Sequence, residues 1–427
     1  MDNNRKAVFK ALVRIEKDGA YSNLLLNQII ESEKPDSPSF VREMTYGVTE
    51  NKMYLDYLLD QIVNRGIRKV RTEPRTLLRM GIYQMIFMDS VPDYASVNET
   101  VRLARKYCFS QANFVNAVLR NFQRKKDDIR QPKDEADPIV RLSATYSFDP
   151  WIVRLWIDQY GEEKAEELLS SSIGTPPMMI RVNTLKTSAA VLSKKLERKG
   201  YRVLEFPDSR RVLTVKGSNL LEQPEYVQGL FSVQDAASVI AMEALDPKPG
   251  DTIVDVCAAP FGKSFACAEI MGDSGSIYAF DKYSHKVARC AETAERLGVT
   301  IVQAEAQDAL EPREELFGRA DRVICDVPCS GLGVIRRKPE IKYKKLDDQG
   351  KELASIQKKI LTASAQYVKE GGSLMYSTCT INSIENRDVI RSFLKKHPHF
   401  TLVSSRQLLP ITDGTDGFFF CLMKKRY

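Results

Sequence analysis

Apolar residues recur at helical spacing through the first third of the chain: Val8, Leu12 and Ile15 at i, i+4, i+7, and Leu55, Leu58, Leu59 and Ile62 at i, i+3, i+4, i+7. A further apolar stretch runs over 77–88, and Val97, Val101 and Ala104 continue the period. The pattern predicts an all-helical bundle ending near Lys126, where KKDDIRQPKDEAD breaks it with charge and reads as a linker. Residues 177–206 then read strand, helix, strand, which predicts a small α+β module. From about 230 the period changes again. Short β-rich runs at 252–256, 276–280, 300–302, 322–325 and 373–376 are separated by helical lengths. That alternation predicts a mostly parallel, doubly wound α/β sheet of the Rossmann-like kind, whose ligands bind at the carboxyl ends of the strands. The expected organisation is 1–130 helical, 138–229 linker helices with the small module, and 230–427 the α/β domain.

Composition narrows the function classes. A chain of 427 residues exceeds one ordinary core, which agrees with several domains. No apolar run approaches a membrane span, and the opening MDNNRKAVFK carries no apolar signal core, so a cytoplasmic protein without a membrane partner is expected. The net charge of +7 is uneven: residues 1–130 hold 22 Lys and Arg against 16 Asp and Glu, and the rest is nearly balanced. Arg68, Arg71, Arg75 and Arg79, spaced three or four apart, form either a track for phosphates or a solvated charged face, and Pro74 interrupts the segment. Eight cysteines without paired CxxC spacing and only three histidines argue against a metal site or a histidine triad. Chemistry is left to Cys, Asp and Lys.

Those residues stand at the strand ends. The first α/β strand leads into Cys257, Ala258, Ala259, Pro260, Phe261, Gly262 and Lys263, the second into Asp281, the third into Asp308 and the fourth into Asp326. A carboxylate at the second strand end accepts hydrogen bonds from both hydroxyls of a ribose. The first turn holds neither GxGxxG nor GxxxxGK[ST], so a cofactor without phosphates, S-adenosylmethionine, fits better than a dinucleotide or a nucleotide triphosphate. An Asp at a strand end is also a common helix N-cap, and that reading stays open.

Two cysteine motifs are more specific. The fourth strand exits through Asp326, Pro328 and Cys329, and the fifth through YSTCT with Cys379. If those strands are neighbours, the thiols converge. Two thiols suit methylation of cytosine C5: one adds to C6 and makes C5 nucleophilic, and a second group removes the C5 proton so that the adduct eliminates. Lys263 is a candidate to favour a thiolate, and Asp326 a candidate to bond the amino edge of the base. The bland reading of both cysteines is a small buried apolar residue. Arg336, Arg337, Lys338, Lys342, Lys344 and Lys345 follow the first motif and either bind phosphate or form a solvated loop.

DVCAAPFGK, DVPCSGLG, YSTCT and the terminal DGTDGFFF resemble the motifs of the RNA cytosine-C5 methyltransferases that act on small-subunit ribosomal RNA, over nearly the whole chain and including a NusB-like helical front domain. The resemblance implies S-adenosylmethionine as methyl donor and a cytosine of 16S ribosomal RNA, free or in an assembly intermediate, as acceptor. It implies Cys379 as nucleophile, Cys329 as the residue that assists release, a cofactor site at 257–263, Asp281, Asp308 and Asp326, and a monomer. Three positions depart from the family pattern: Phe261 replaces the first glycine of CAAPGGK, Ala236 an acidic residue in QDAAS, and ENRD the commoner ENE. A ring at 261 is expected to crowd the methionine arm of the cofactor. The alternative is therefore a catalytically weak or silent RNA-binding assembly factor.

Overall fold

The computed structural model describes residues 2–18, 22–343 and 350–426. They form two compact units: Met1–Ile173 with Lys338–Lys345, and Gly174–Arg337 with Leu346–Tyr427. No helix among the described residues is long and apolar enough to cross a membrane.

The first unit is all helical. Helices Asn3–Asp18, Pro38–Glu50, Lys52–Asp60, Thr72–Phe87, Asp93–Tyr107 and Ala112–Lys125 enclose one core that includes Val8, Leu12, Leu55, Leu58, Leu59, Val97 and Val101. Gly47 is required by close packing, since a Cβ there would lie 1.9 Å from the Tyr83 hydroxyl. Three helices begin on a capping residue followed by proline: the side chains of Ser37, Asp137 and Asp149 accept from the backbone N–H of Phe40, Ile139 and Trp151. The cap satisfies an orphan donor, and proline at the first helical position loses no bond. The helices Pro138–Tyr146, Pro150–Tyr160 and Glu162–Ser171 belong to this unit, whereas the sequence reading grouped them with the α+β module.

The second unit holds two sheets. Strands β1 (Met178–Val182), β2 (Arg202–Phe206), β3 (Ser209–Lys216) and β4 (Phe231–Val233) pair antiparallel in the order β2-β3-β1-β4, with the helix Ala189–Glu197 capped by Ser188. The larger sheet consists of β5 (Thr252–Asp255), β6 (Ser276–Asp281), β7 (Val302–Ala306), β8 (Ala320–Asp326), β9 (Val368–Thr378), β10 (Phe400–Leu408) and β11 (Phe418–Lys425). Its order is β10-β11-β9-β8-β5-β6-β7. The pairs β5/β6, β5/β8, β6/β7 and β8/β9 are parallel, and β10 and β11 join antiparallel beyond β9. Chain order reverses between β5 and β8, which opens a crevice at their carboxyl ends. The five parallel strands were expected. β3, β4, β10 and β11 were not: they pair antiparallel, and the sequence reading looked for parallel strands alternating with helices.

Candidate active site

Strand β5 ends at Asp255 and the chain turns through Cys257–Phe261 into the helix Gly262–Ile270. The turn is pinned to β6: the Ala258 N–H donates to the Phe280 carbonyl at 2.7 Å and the Ala259 N–H to the Asp281 carboxylate at 3.3 Å. The Ala259–Pro260 peptide is cis, and Phe261 has φ 68°.

The left-handed backbone at 261 is what the family's glycine suits, but the expected crowding by the ring is not what the structure has. Phe261 is 2 % exposed and lies edge-on to Phe265 at 6.5 Å between centroids, inside an apolar cluster with Ala237, Ile240 and Phe418. Burial in the core offsets the roughly 1–2 kcal/mol that a side chain costs at positive φ. Phe261→Gly is therefore expected to lower stability by about 2–4 kcal/mol, the loss of a buried ring less the relieved strain. It should leave S-adenosylmethionine affinity no tighter. Calorimetry giving the Gly variant a clearly tighter cofactor would place the ring against the ligand after all.

Asp255 is fully buried; one carboxylate oxygen accepts from the Ser264 hydroxyl at 2.7 Å, and the backbone N–H of Cys257 also acts on the carboxylate. Burial pushes its carboxyl up to about 7, against the pull of the Ser264 hydrogen bond and the Lys263 charge. Lys263 reaches across from the same turn to Asp326 at the end of β8, Nζ to Oδ2 2.6 Å, and its ammonium lies 5.3 Å from the centre of the Phe418 ring. Burial pulls the Lys263 ammonium down, but Asp326, then Asp255 and Cys379, more than offset it, so it stays a firm cation. The other oxygen of Asp326 accepts from the Ser377 hydroxyl at 2.6 Å. The carboxylate is thus held between β5 and β9 with lone pairs to spare.

Strands β8 and β9 are parallel neighbours, with Asp326 opposite Ser377, so the loops leaving them start side by side. The Sγ atoms of Cys329 and Cys379 are 3.3 Å apart, both half-buried free thiols. The hydrogen bond with Cys379, then burial, then the charges of Cys379 and Glu385 push the Cys329 thiol well above its ordinary value. Either sulfur can donate across this contact, and a proton on Cys329 leaves the Cys379 sulfur as its acceptor. Lys263 is close enough to Cys379 for their charges to interact.

The other expected cofactor residues flank the same crevice. Asp281, at the end of β6, accepts from the Ala259 and Tyr283 N–H groups, and Asp308, beyond β7, pairs with Lys282 at 2.8 Å and caps the Leu310 N–H. Asp308 thus makes the turn-capping bond of the bland reading. It is still partly exposed, as a ligand contact requires. Burial pushes the Cys257 thiol far up, which keeps it neutral and suits packing under a turn. A set of strand-end carboxylates with spare lone pairs and a first turn without a phosphate-binding loop fit a nucleoside with an amino-acid arm.

The 16S rRNA methyltransferase RsmB/F family pattern matches residues 242–424, the NusB family 2–124, and the ferredoxin-like domain of RsmF/B-like methyltransferases 148–219. The probable ribosomal RNA small subunit methyltransferase B of Bacillus subtilis is 38 % identical over 99 % of this chain and 98 % of its own. The chain belongs to that family. The ribosomal RNA small subunit methyltransferase B of Vibrio cholerae is 31 % identical over 100 % of this chain and 98 % of its own. The crystal structure of PH0851 covers 100 % of this chain and 99 % of that one, with TM-score 0.80 and 28 % identity. The fold is that of the family: a NusB helical domain, a ferredoxin-like module and a Rossmann-like methyltransferase domain.

Several basic residues read as candidate phosphate contacts are engaged internally. Arg75 and Arg79 turn inward to Glu16 at 2.6 and 2.7 Å, and Arg79 also grips Asp56 at 2.6 and 2.8 Å. The helix begins only at Thr72, so Arg68 and Arg71 precede it and stay exposed. Downstream of the first cysteine motif, Arg336 donates to the carbonyls of Gly174 and Thr175, and Arg337 pairs with Asp235 and Asp416. Lys342 is 2 % exposed with its ammonium 4.6 Å from the Phe148 ring centre, and burial lowers it to about 8. Lys344 and Lys345 lie outside the described residues.

Sequence reasoning missed Arg181. On β1 it is 1 % exposed, forms a two-pronged pair with Glu269 at 2.9 and 2.8 Å, and donates to the Gly262 carbonyl of the turn at 2.7 Å and to Gln234. The available signal was a cation in the otherwise apolar run MMIRV. Glu385 and Asn386 were noted only as a departure from family pattern, although both are buried.

Proposed function

We propose that the protein methylates C5 of a cytosine in 16S ribosomal RNA, with S-adenosylmethionine as donor and Cys379 as nucleophile. The observation that carries this reading is the 3.3 Å approach of the Cys329 and Cys379 sulfurs at the ends of adjacent strands. A base inserted above them meets one sulfur for attack and a second for proton removal. The Cys379 sulfur bonds C6, and the ring electrons move to C5. When bound, S-adenosylmethionine supplies an electrophilic methyl group. Cys257–Lys263, Asp281, Asp308 and Asp326 would hold it, and its S–CH3 bond would break as C5 takes the methyl, leaving a neutral thioether. Bonding of Cys379 to C6 removes the sulfur charge that held the Cys329 proton, so Cys329 releases that proton to solvent and takes the C5 proton, the electron pair re-forms the ring double bond, and the C6–S bond breaks to return Cys379. Asp326, fixed by Lys263 and Ser377, accepts from the exocyclic amino group of the base.

The target base must be unpaired or flipped to reach the sulfur. Arg68 and Arg71 are the exposed members of the front cluster left to meet RNA backbone. The silent-factor alternative rested on Phe261, whose ring packs in the core. Incubation with unmodified 16S RNA and methyl-labelled S-adenosylmethionine is expected to yield 5-methylcytosine at one site. Label at another atom or base, or transfer to protein alone, refutes the proposal.

A further inference from the structure

Each cysteine of the pair has a neighbour in sequence held by one of two adjacent residues, Glu385 and Asn386. On the Cys329 side, Glu385 Oε2 accepts from the Ser330 N–H at 2.8 Å and from Gln357 Nε2 at 3.0 Å, and the same Gln357 nitrogen donates to the Pro328 carbonyl at 3.0 Å. On the Cys379 side, Asn386 Oδ1 accepts from the Thr378 hydroxyl at 2.6 Å, and its Nδ2 donates to the Thr380 carbonyl at 2.9 Å. The Ser330 and Thr380 hydroxyls, 2.7 Å apart, join the two loops directly. Glu385 and Gln357 are fully buried, and Asn386 is 1 % exposed.

A buried carboxylate is costly to desolvate, and its recorded partners here are neutral N–H groups: Ser330, Gln357 and, on Oε1, Asn382 at 3.1 Å. A chain that needed only stability is served as well by an apolar core at this point. Three donors converging on one acid from two loops and a helix fix directions instead. A carboxylate only accepts, so it alone satisfies all three.

We infer that Glu385 and Asn386 are positioning residues that set the approach of the two thiols, Glu385 through the Cys329 loop and Asn386 through the Cys379 loop. The inference rests on the proposed roles of the cysteines and adds a division of labour: Glu385 governs release and Asn386 governs attack. Glu385→Gln turns an NH2 group toward one of three donors and loosens the Cys329 loop. Asn386→Asp sets an oxygen against the Thr380 carbonyl and the Gln407 amide oxygen, which is 3.0 Å away, and displaces the Cys379 loop.

The test measures kcat, both KM values, thermal midpoint and the covalent protein–RNA species on denaturing gels, using the full chain with 16S RNA. Glu385→Gln is expected to lower kcat about 10- to 100-fold, the scale of a small misplacement of reacting groups, with KM values within about twofold. Adduct should accumulate as with Cys329→Ala. Asn386→Asp should lower kcat similarly without accumulating adduct. A merely structural role shifts the midpoint and active fraction and leaves no adduct. If Glu385→Gln is recovered poorly, Gln357→Leu loosens the same loop and is expected to accumulate adduct too. Adduct with Cys329→Ala but with neither loop variant overturns the inference; absence of adduct in all three overturns the reading beneath it.

Discussion

Cys329→Ala is expected to bind 16S RNA, transfer one methyl group and stall as a covalent complex that survives denaturation, while Cys379→Ala forms no complex and transfers nothing. The asymmetry follows from position. Cys379 can accept from the Cys329 thiol and interacts with the Lys263 cation, which suits it to the nucleophile's place. Without it the base has no route to a nucleophilic C5, and activity should fall by about ten-thousandfold or more, as for removal of other covalent nucleophiles. Cys329 acts after methyl transfer. Its loss removes general-base help worth about 10²- to 10⁴-fold and leaves the C6–S bond intact for that much longer. Stability should hardly change, because a half-buried cysteine loses only one sulfur and Ala fits its space. The check is a gel for the adduct and a filter assay for label. A Cys379→Ala protein that still methylates reverses the roles, and equal adduct from both variants removes the distinction.

The candidate site was legible in the sequence because its residues lie at the ends of parallel strands, where apolar runs stop and motifs begin. Cys329 and Cys379 needed only one further fact, that β8 and β9 are neighbours, which most such sheets share. What the sequence hid is where a charged side chain turns. Arg75 and Arg79 have the spacing of a phosphate track, yet their partners Glu16 and Asp56 lie on other helices, and helical period carries no record of that pairing. Arg337 likewise finds Asp235 and Asp416, which close up only when the chain folds. Phe261 was legible as an exception to the glycine pattern and misleading as to direction. A positive φ says that the backbone is unusual but not whether the side chain meets ligand or core. Strand β10 at the sheet edge and β11 between it and β9 escaped because they pair antiparallel in a sheet read as parallel.

Arg181→Met is expected to be among the most destabilising changes outside the apolar core and to weaken S-adenosylmethionine binding from a strand that carries none of the proposed cofactor residues. The variant strands Glu269, whose side chain is 1 % exposed, without its counter-charge. Breaking a buried pair from one side typically costs about 3–5 kcal/mol. The cost has a ceiling here. Burial already pushes the Glu269 carboxyl above its ordinary value despite Arg181, so loss of the cation pushes it further and makes protonation an escape from an unpaired buried charge. The double variant Arg181→Met/Glu269→Met replaces both charges by apolar chains and should recover most of the stability. Binding should not recover with it. Arg181 also holds the Gly262 carbonyl at the head of the cofactor-turn helix and grips Gln234, and neither substitution restores those bonds. Thermal unfolding and cofactor calorimetry on the single and double variants separate the two roles. Recovery of both together means that the turn depends on Arg181 only through the ion pair. Recovery of stability alone means that the small sheet, through one buried guanidinium, holds the cofactor turn in the shape that the methyl donor needs.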